Sequence, residues 1–203
     1  MQHSKIEFAQ LPEQESVPQE INFTPQEHII IEEEISKLFK KAVITKPCHC
    51  RGEYISTIFI RPKKDGGHRL ILNLKKLNAY VEYHHFKMDT LQSAIRLMKP
   101  NCYMASVDLH DAYHSIPIDE EYQKFLRFQW KGKLFQFTCL PNGLSSAPQL
   151  FTKVLKPVYA TLRCKGRLNV GYIDDSCLQG DTVRECHDNI TATTDLFVKS
   201  KCL

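Results

Sequence analysis

Two apolar segments of this chain run into carboxylates, and that pattern restricts its folding more than any other feature. In GYIDDSCL (171–178) a pair of acids, Asp174 and Asp175, sits between hydrophobic flanks; in YMASVD (103–108) a third acid, Asp108, closes a run of β-type residues. Residues 168–179 read as two short strands flanking Tyr172-Ile173-Asp174-Asp175, and 103–108 as a third strand. Held between such flanks, Asp174 and Asp175 are expected close together and at least partly out of water. There they repel until one takes up a proton or a cation neutralises them. Hard oxygen donors of this kind suit Mg²⁺ or Mn²⁺. If the strands are neighbours in one sheet, Asp108 joins the pair in the arrangement that two-metal phosphoryl transfer requires. The plain alternative is a solvated turn, since a Tyr-x-Asp-Asp string arises by chance in about one chain in fifty at average residue usage. The apolar flanks and the third acid weigh against it.

The remaining elements follow from periodicity and caps. Residues 1–24 are polar and aperiodic, an extended arm lying on a domain or partly disordered. Thr24-Pro25-Gln26-Glu27 has the capping-box form, and Ile31, Ile35, Leu38, Phe39 and Ala42 fall on one stripe, which predicts an amphipathic helix over about 25–42. ISTIFIR (55–61), a Lys63-to-Gly67 turn and alternating Leu70, Leu72 and Leu74 predict a hairpin with a cationic, glycine-rich tip. Asp89 and Gln92 offer caps for a helix over about 90–98, and a short helical turn through DAYH should follow Asp108. FLRFQW and LFQFT around Lys131-Gly132-Lys133 predict a second hairpin. Ser145 or Ser146 then caps a helix over 147–164, with Pro157 predicting a kink and Gly166 a stop. Val183, Cys186, Ile190, Thr194 and Phe197 mark a last helix. Strands and helices mix without strict βαβ alternation, so the class is α+β with an antiparallel sheet.

Other residues invite chemistry. Lys63 and Arg69 flank the two tip glycines, where they can fold over a triphosphate or simply border a solvated turn. In LPNGLSSAP (140–148) a glycine loop enters a helix and places Asn142 and backbone N–H groups where a nucleotide or template base can be met; a bare helix entry reads equally well. Tyr113, two residues past Asp111, can pack on a sugar, although a core or exposed tyrosine is commoner. Cys48-His49-Cys50 lacks a second ligand pair at zinc spacing, so the loop reading is preferred to a metal site.

Composition removes several classes. At 203 residues, with 42% hydrophobic and 25% charged, the chain can bury a core without disulfides. No stretch reaches membrane-span length, and the eight scattered cysteines lack a CxxC pair. No secretory or transit signal is visible at the start, so an intracellular place, cytoplasmic with nuclear entry open, is expected and no membrane partner. A formal charge of +4 is compatible with a polyanionic partner without demonstrating one.

In order along the chain, IFIRPKKDGGHRLILNLKKLN, SVDLHDAYHSIPI, LPNGLSSAPQLF and GYIDDSCLQG resemble the successive motifs of a reverse transcriptase. The likeness spans about residues 20–203, and its style resembles retrotransposons of the DIRS and gypsy types. It implies a right-hand polymerase: an N-terminal arm over 1–24, fingers over 25–83 and 117–147, and an antiparallel palm over 84–116 and 148–203. Transferred by motif, Asp108, Asp174 and Asp175 would be the metal-binding catalytic acids, with the Leu109 backbone completing a metal shell. Lys63 and Arg69 would grip the dNTP triphosphate, and Asp111 and Ala112 would lie beneath it. Tyr113 would be the steric gate against a ribose 2′-hydroxyl, and Asn142 and Gly143 would line the nucleotide and template side.

The implied partners are an RNA or DNA template with its primer, dNTPs and other segments of a retroelement polyprotein, and the implied cofactor is Mg²⁺ or Mn²⁺. Position 142 departs from the resemblance with Asn in place of the usual Phe or Gln, as does His68 where an aromatic is frequent. The chain also closes at KSKCL without the junction, primer grip and thumb of the family. A truncated, inactive remnant with weak nucleic-acid binding is therefore the alternative function. A metal-dependent nuclease or phosphatase would leave Lys63, Arg69, Tyr113 and LPNG unexplained.

Overall fold

The computed structural model describes residues 3–63 and 66–199. In chain order the elements are α1 (Pro25–Lys40), β1 (Ile44–Thr45), β2 (Ile55–Ser56), β3 (Ile58–Pro62), β4 (His68–Leu72), a 3₁₀ turn (Leu77–Ala79), α2 (Leu91–Leu97), β5 (Tyr103–Asp108), a 3₁₀ turn (Ala112–Ser115), α3 (Glu120–Gln123), β6 (Arg127–Trp130), β7 (Lys133–Phe137), α4 (Ala147–Cys164), β8 (Asn169–Tyr172), β9 (Asp175–Gly180) and α5 (Val183–Lys199). They divide into two compact units, each assembled from two separate stretches of chain. Among the described residues, 3–83 and 116–147 form an N-terminal unit, and 84–115 and 148–199 a C-terminal unit. Among the described residues no helix is long and apolar enough to cross a membrane.

In the N-terminal unit the Thr24–Glu27 capping box starts α1: the Thr24 N–H donates to Glu27 Oε2 at 2.8 Å, and the Glu27 N–H to Thr24 Oγ1 at 3.3 Å. Ile31 and Ile35 face the core, but the expected stripe stops early. Phe39 is 47% exposed, and Ala42 lies beyond the helix at φ +56. The apolar run over 55–61 splits at Thr57. Ile55-Ser56 joins a four-stranded sheet of order β1-β7-β6-β2, where it pairs parallel to β6, whereas 58–62 forms the β3–β4 hairpin, from Ile58 opposite Leu72 to Pro62 opposite His68. Lys131 and Gly132, at φ +48 and +68, make the tight turn between β6 and β7. Residues 4–14 lie on this unit as an extended segment. Ile6 is buried, the Ser4 N–H bonds to the Pro117 carbonyl at 2.8 Å, and the Gln14 amide pairs with both backbone groups of Ile55.

The Cys48-His49-Cys50 loop is exposed and is tied to the unit by polar contacts. His49 Nδ1 lies 2.6 Å from Glu53 Oε1, and buried Arg127 bonds to Glu53, to Gln136 at 2.7 Å and to the Cys48 carbonyl at 3.1 Å. Burial pushes the Glu53 carboxyl up, but His49 and Arg127 together hold it below the usual carboxylate range.

The C-terminal unit is a three-stranded antiparallel sheet, β5-β9-β8, with α4 and α5 against one face. Gly171 of β8 makes the approach of α4 possible, since a Cβ there would stand 2.3 Å from the Tyr159 ring, whose hydroxyl shares a 2.6 Å hydrogen bond with Ser176. Three sequence expectations shift here. α2 is capped by Thr90 in a reciprocal box with Ser93, not by Asp89, because Asp89 pairs with Arg163 at 3.1 Å. α5 buries Cys186, Asn189, Thr193 and Phe197 instead of the apolar stripe through Val183, Ile190 and Thr194. Asn189 is drawn inward because its amide donates to the Leu168 and Gln179 carbonyls, each at 3.0 Å. Nor does Ser146 cap α4: its buried hydroxyl has no hydrogen-bond partner among the described residues.

Candidate active site

Sheet register builds the acidic site. Asp108 ends β5 directly opposite Asp175, the first residue of β9, and Asp175 is in turn opposite Tyr172 of β8. Directly opposed residues have Cβ atoms about 4.5–5.5 Å apart on one face, so the Asp108 and Asp175 carboxylates are neighbours by construction. Asp174 stands in the two-residue turn between β8 and β9, and its carbonyl accepts the Leu109 N–H at 2.9 Å. That bond ties the turn to the chain just after Asp108. Ile173, the other turn residue, is held at φ +54, a left-handed conformation that costs a β-branched side chain about 1–2 kcal/mol. Strain of this kind persists where the surrounding ladder over-determines it.

Asp108, Asp174 and Asp175 are all exposed, which corrects the expectation that apolar flanks would take them partly out of water. The reason is that α4 and α5 cover the opposite face, against Gly171 and Gly180, whereas Ser106, Asp108, Asp175 and Tyr172 stand on the open side. None of the three acids has an ion-pair partner among the described residues. By donor chemistry alone, hard oxygens open to solvent, these carboxylates suit a divalent cation, although their oxygens are not all gathered within 4.8 Å of one another.

After Leu109, which is buried, Asp111 adopts φ +53 and its carbonyl accepts the His114 N–H at 2.8 Å, starting the 3₁₀ turn. Ala112 is buried, and its carbonyl accepts the Ser115 hydroxyl at 2.6 Å. Tyr113 packs edge-on against Phe151, with centroids 5.5 Å apart. Burial first, then the negative charge of Asp174 and the neighbouring Tyr172, pushes its phenol up to about 12. Tyr113 is thus a neutral, half-buried ring within the electrostatic reach of Asp174.

The N-terminal unit carries the other predicted residues. Lys63 ends the β3 side of the hairpin, its N–H bonded to the Gly67 carbonyl at 2.8 Å, and Arg69 is exposed on β4. The 142–143 loop sits on the same hairpin: Gly143, at φ +100, is so close that a Cβ would stand 3.1 Å from the Leu72 carbonyl. Asn142 is half-buried beside it. Sequence reasoning missed the clamp that holds this loop. Asn78 donates from Nδ2 to the Gly143 carbonyl and accepts at Oδ1 from the Ser145 N–H, both at 2.9 Å. Its one trace in the sequence was its place at the end of LILNLKKLN, with nothing to show a partner 65 residues away.

Residues 61–202 match the family described as reverse transcriptase (RNA-dependent DNA polymerase). The chain belongs to that family. It is 29% identical over 176 residues to the Gag-Pol polyprotein of avian reticuloendotheliosis virus, covering 81% of this chain and 15% of the viral protein. Against the transposon Tf2-3 polyprotein of Schizosaccharomyces pombe the identity is 25% over 124 residues, covering 61% of this chain and 9% of that protein. Its fold is shared with prototype foamy virus protease-reverse transcriptase, at a TM-score of 0.80 and 20% identity over 97% of this chain and 26% of that one. A foamy viral protease-reverse transcriptase solved in complex with an RNA/DNA hybrid gives 0.80 and 21%, over 98% of this chain and 25% of that one. The chain therefore spans about a seventh or less of the relatives it matches in sequence and about a quarter of the solved chains.

Proposed function

We propose that this chain is the fingers and palm part of an RNA-directed DNA polymerase from a retroelement polyprotein, extending a primer 3′-hydroxyl with dNTPs on a nucleic-acid template. The observation that carries the reading is the register placing Asp108 opposite Asp175, with Asp174 tied to Leu109 in the adjoining turn. In this reading the C-terminal unit is the palm and the N-terminal unit the fingers. Asp108, Asp174 and Asp175 would hold Mg²⁺ or Mn²⁺, which when bound supplies charge neutralisation at the reacting phosphate and a more acidic primer hydroxyl.

The chain's own residues do the rest. The strained β8–β9 turn and the Leu109 bond fix where the acids stand, so they need not reorganise as charge develops. Tyr113, kept neutral and braced on Phe151, presents a ring edge to the sugar and excludes a 2′-hydroxyl by volume. Lys63 and Arg69 bind triphosphate oxygens, and Asn142 and Gly143, clamped by Asn78, face the nucleotide and template. The RNA/DNA hybrid and double-stranded DNA held by the foamy viral enzyme support a duplex substrate here.

The test is Asp174→Asn assayed by primer extension. Nucleotide addition should fall by about a hundredfold to a thousandfold, a loss of the size seen when a group stabilising transition-state charge is removed, while duplex affinity stays near wild type. Extension close to the wild-type rate would overturn the assignment.

A further inference from the structure

The β3–β4 hairpin carries a third cation beside Lys63 and Arg69. Arg61 lies directly opposite Arg69 in the ladder, and Lys63 follows the last residue of β3, two positions after Arg61, so continued side-chain alternation puts all three on one face. The Lys63–Gly67 backbone bond, at 2.8 Å, carries the pairing one residue past Pro62. The other face cannot take them, because Ile58, Leu70 and Leu72 fill it and are buried.

Like charges directly opposite one another destabilise a hairpin. Here both guanidinium-bearing residues are exposed, and neither they nor Lys63 has a carboxylate partner among the described residues. The Arg61 guanidinium is laid over the Phe59 ring at 5.6 Å, which restricts where it points. The 142–143 loop packs on this same face, since Gly143 abuts Ile71, the next residue on that side of β4 after Arg69. Three cations without a carboxylate partner among the described residues, and a backbone loop, thus line one surface, with an electrostatic repulsion that an anion of several charges would relieve.

We propose that Arg61 is a third phosphate-binding side chain of this hairpin, acting with Lys63 and Arg69 on the triphosphate of the incoming nucleotide. The inference rests on the triphosphate role proposed above for Lys63 and Arg69. Arg61 supplies a planar, bidentate donor, and the repulsion it brings to the free hairpin is offset when the polyanion lies across both strands.

The test titrates inorganic triphosphate into the full chain by calorimetry and follows thermal unfolding, comparing wild type with Arg61→Gln, Arg61→Lys and Arg69→Gln. Arg61→Gln should unfold at a higher temperature than wild type without ligand, because the like-charge pair is gone, yet bind triphosphate about tenfold more weakly, as loss of a charge-assisted hydrogen bond predicts. Arg61→Lys should keep most of the affinity. If Arg61→Gln binds within about twofold of wild type while Arg69→Gln is weakened, the role of Arg61 is refuted and the triphosphate reading of the hairpin stands. If neither variant is weakened, both fail. Weakened binding of a single-stranded RNA with unchanged triphosphate binding also overturns the assignment.

Discussion

Tyr113 is where local chemistry and proposed role meet most closely. Its phenol is pushed up to about 12 by burial and by Asp174, so it stays protonated throughout the neutral range. The sign of the stability effect follows from linkage. The unfolded tyrosine, ionising near the ordinary value of 10, loses its proton before the folded one. Its contribution is therefore whole below about pH 10 and declines as pH rises toward about 12. Ultraviolet titration of the phenolate band should show a late-titrating tyrosine that Tyr113→Phe removes, and an unchanged titration curve in that variant would refute the shift. Residue identity alone gave Tyr113, Asp108, Asp174 and Asp175 as candidates. It could not give their exposure, because the apolar flanks of Asp174 and Asp175 belong to strands whose packed side is the other one. Nor could it give Asn78 or Arg61, whose partners, Gly143 and Arg69, are set by tertiary contact and by register.

Among the elements, the β8–β9 hairpin makes the most exacting demand, since its edge strand must let α4 approach while its turn places Asp174. Gly171→Ala sets a Cβ against the Tyr159 ring, which cannot swing aside without breaking its bond to Ser176. We expect a loss of about 1–3 kcal/mol, the usual cost of overpacking, measured by urea unfolding. An unchanged midpoint would show that α4 yields freely. The strands of this hairpin, β5 and the Thr24 capping box were legible because each depends on local periodicity or on residues three apart. The inward face of α5 was not, because Asn189 is buried for two carbonyls that only the folded sheet supplies. Phe39 misled for the related reason that α1 outlasts the surface it packs on.

At the scale of the whole molecule, the chain crosses between its two units near residues 84, 116 and 148, so neither unit is a contiguous segment that could be removed by truncation. The polymerase reading asks for contributions from both. The acids, Leu109 and Tyr113 belong to the C-terminal unit, and Lys63, Arg69, Asn142 and Gly143 to the N-terminal unit. The central claim is that this register-built acidic site performs templated nucleotide addition. Its most direct test is primer extension on an RNA template with dNTPs and Mg²⁺, run on the folded 203-residue chain beside the Asp174→Asn, Asp175→Asn double variant. The account predicts template-directed extension by the wild-type chain and none by the variant. Extension by both alike, or by neither with both proteins folded, would contradict it.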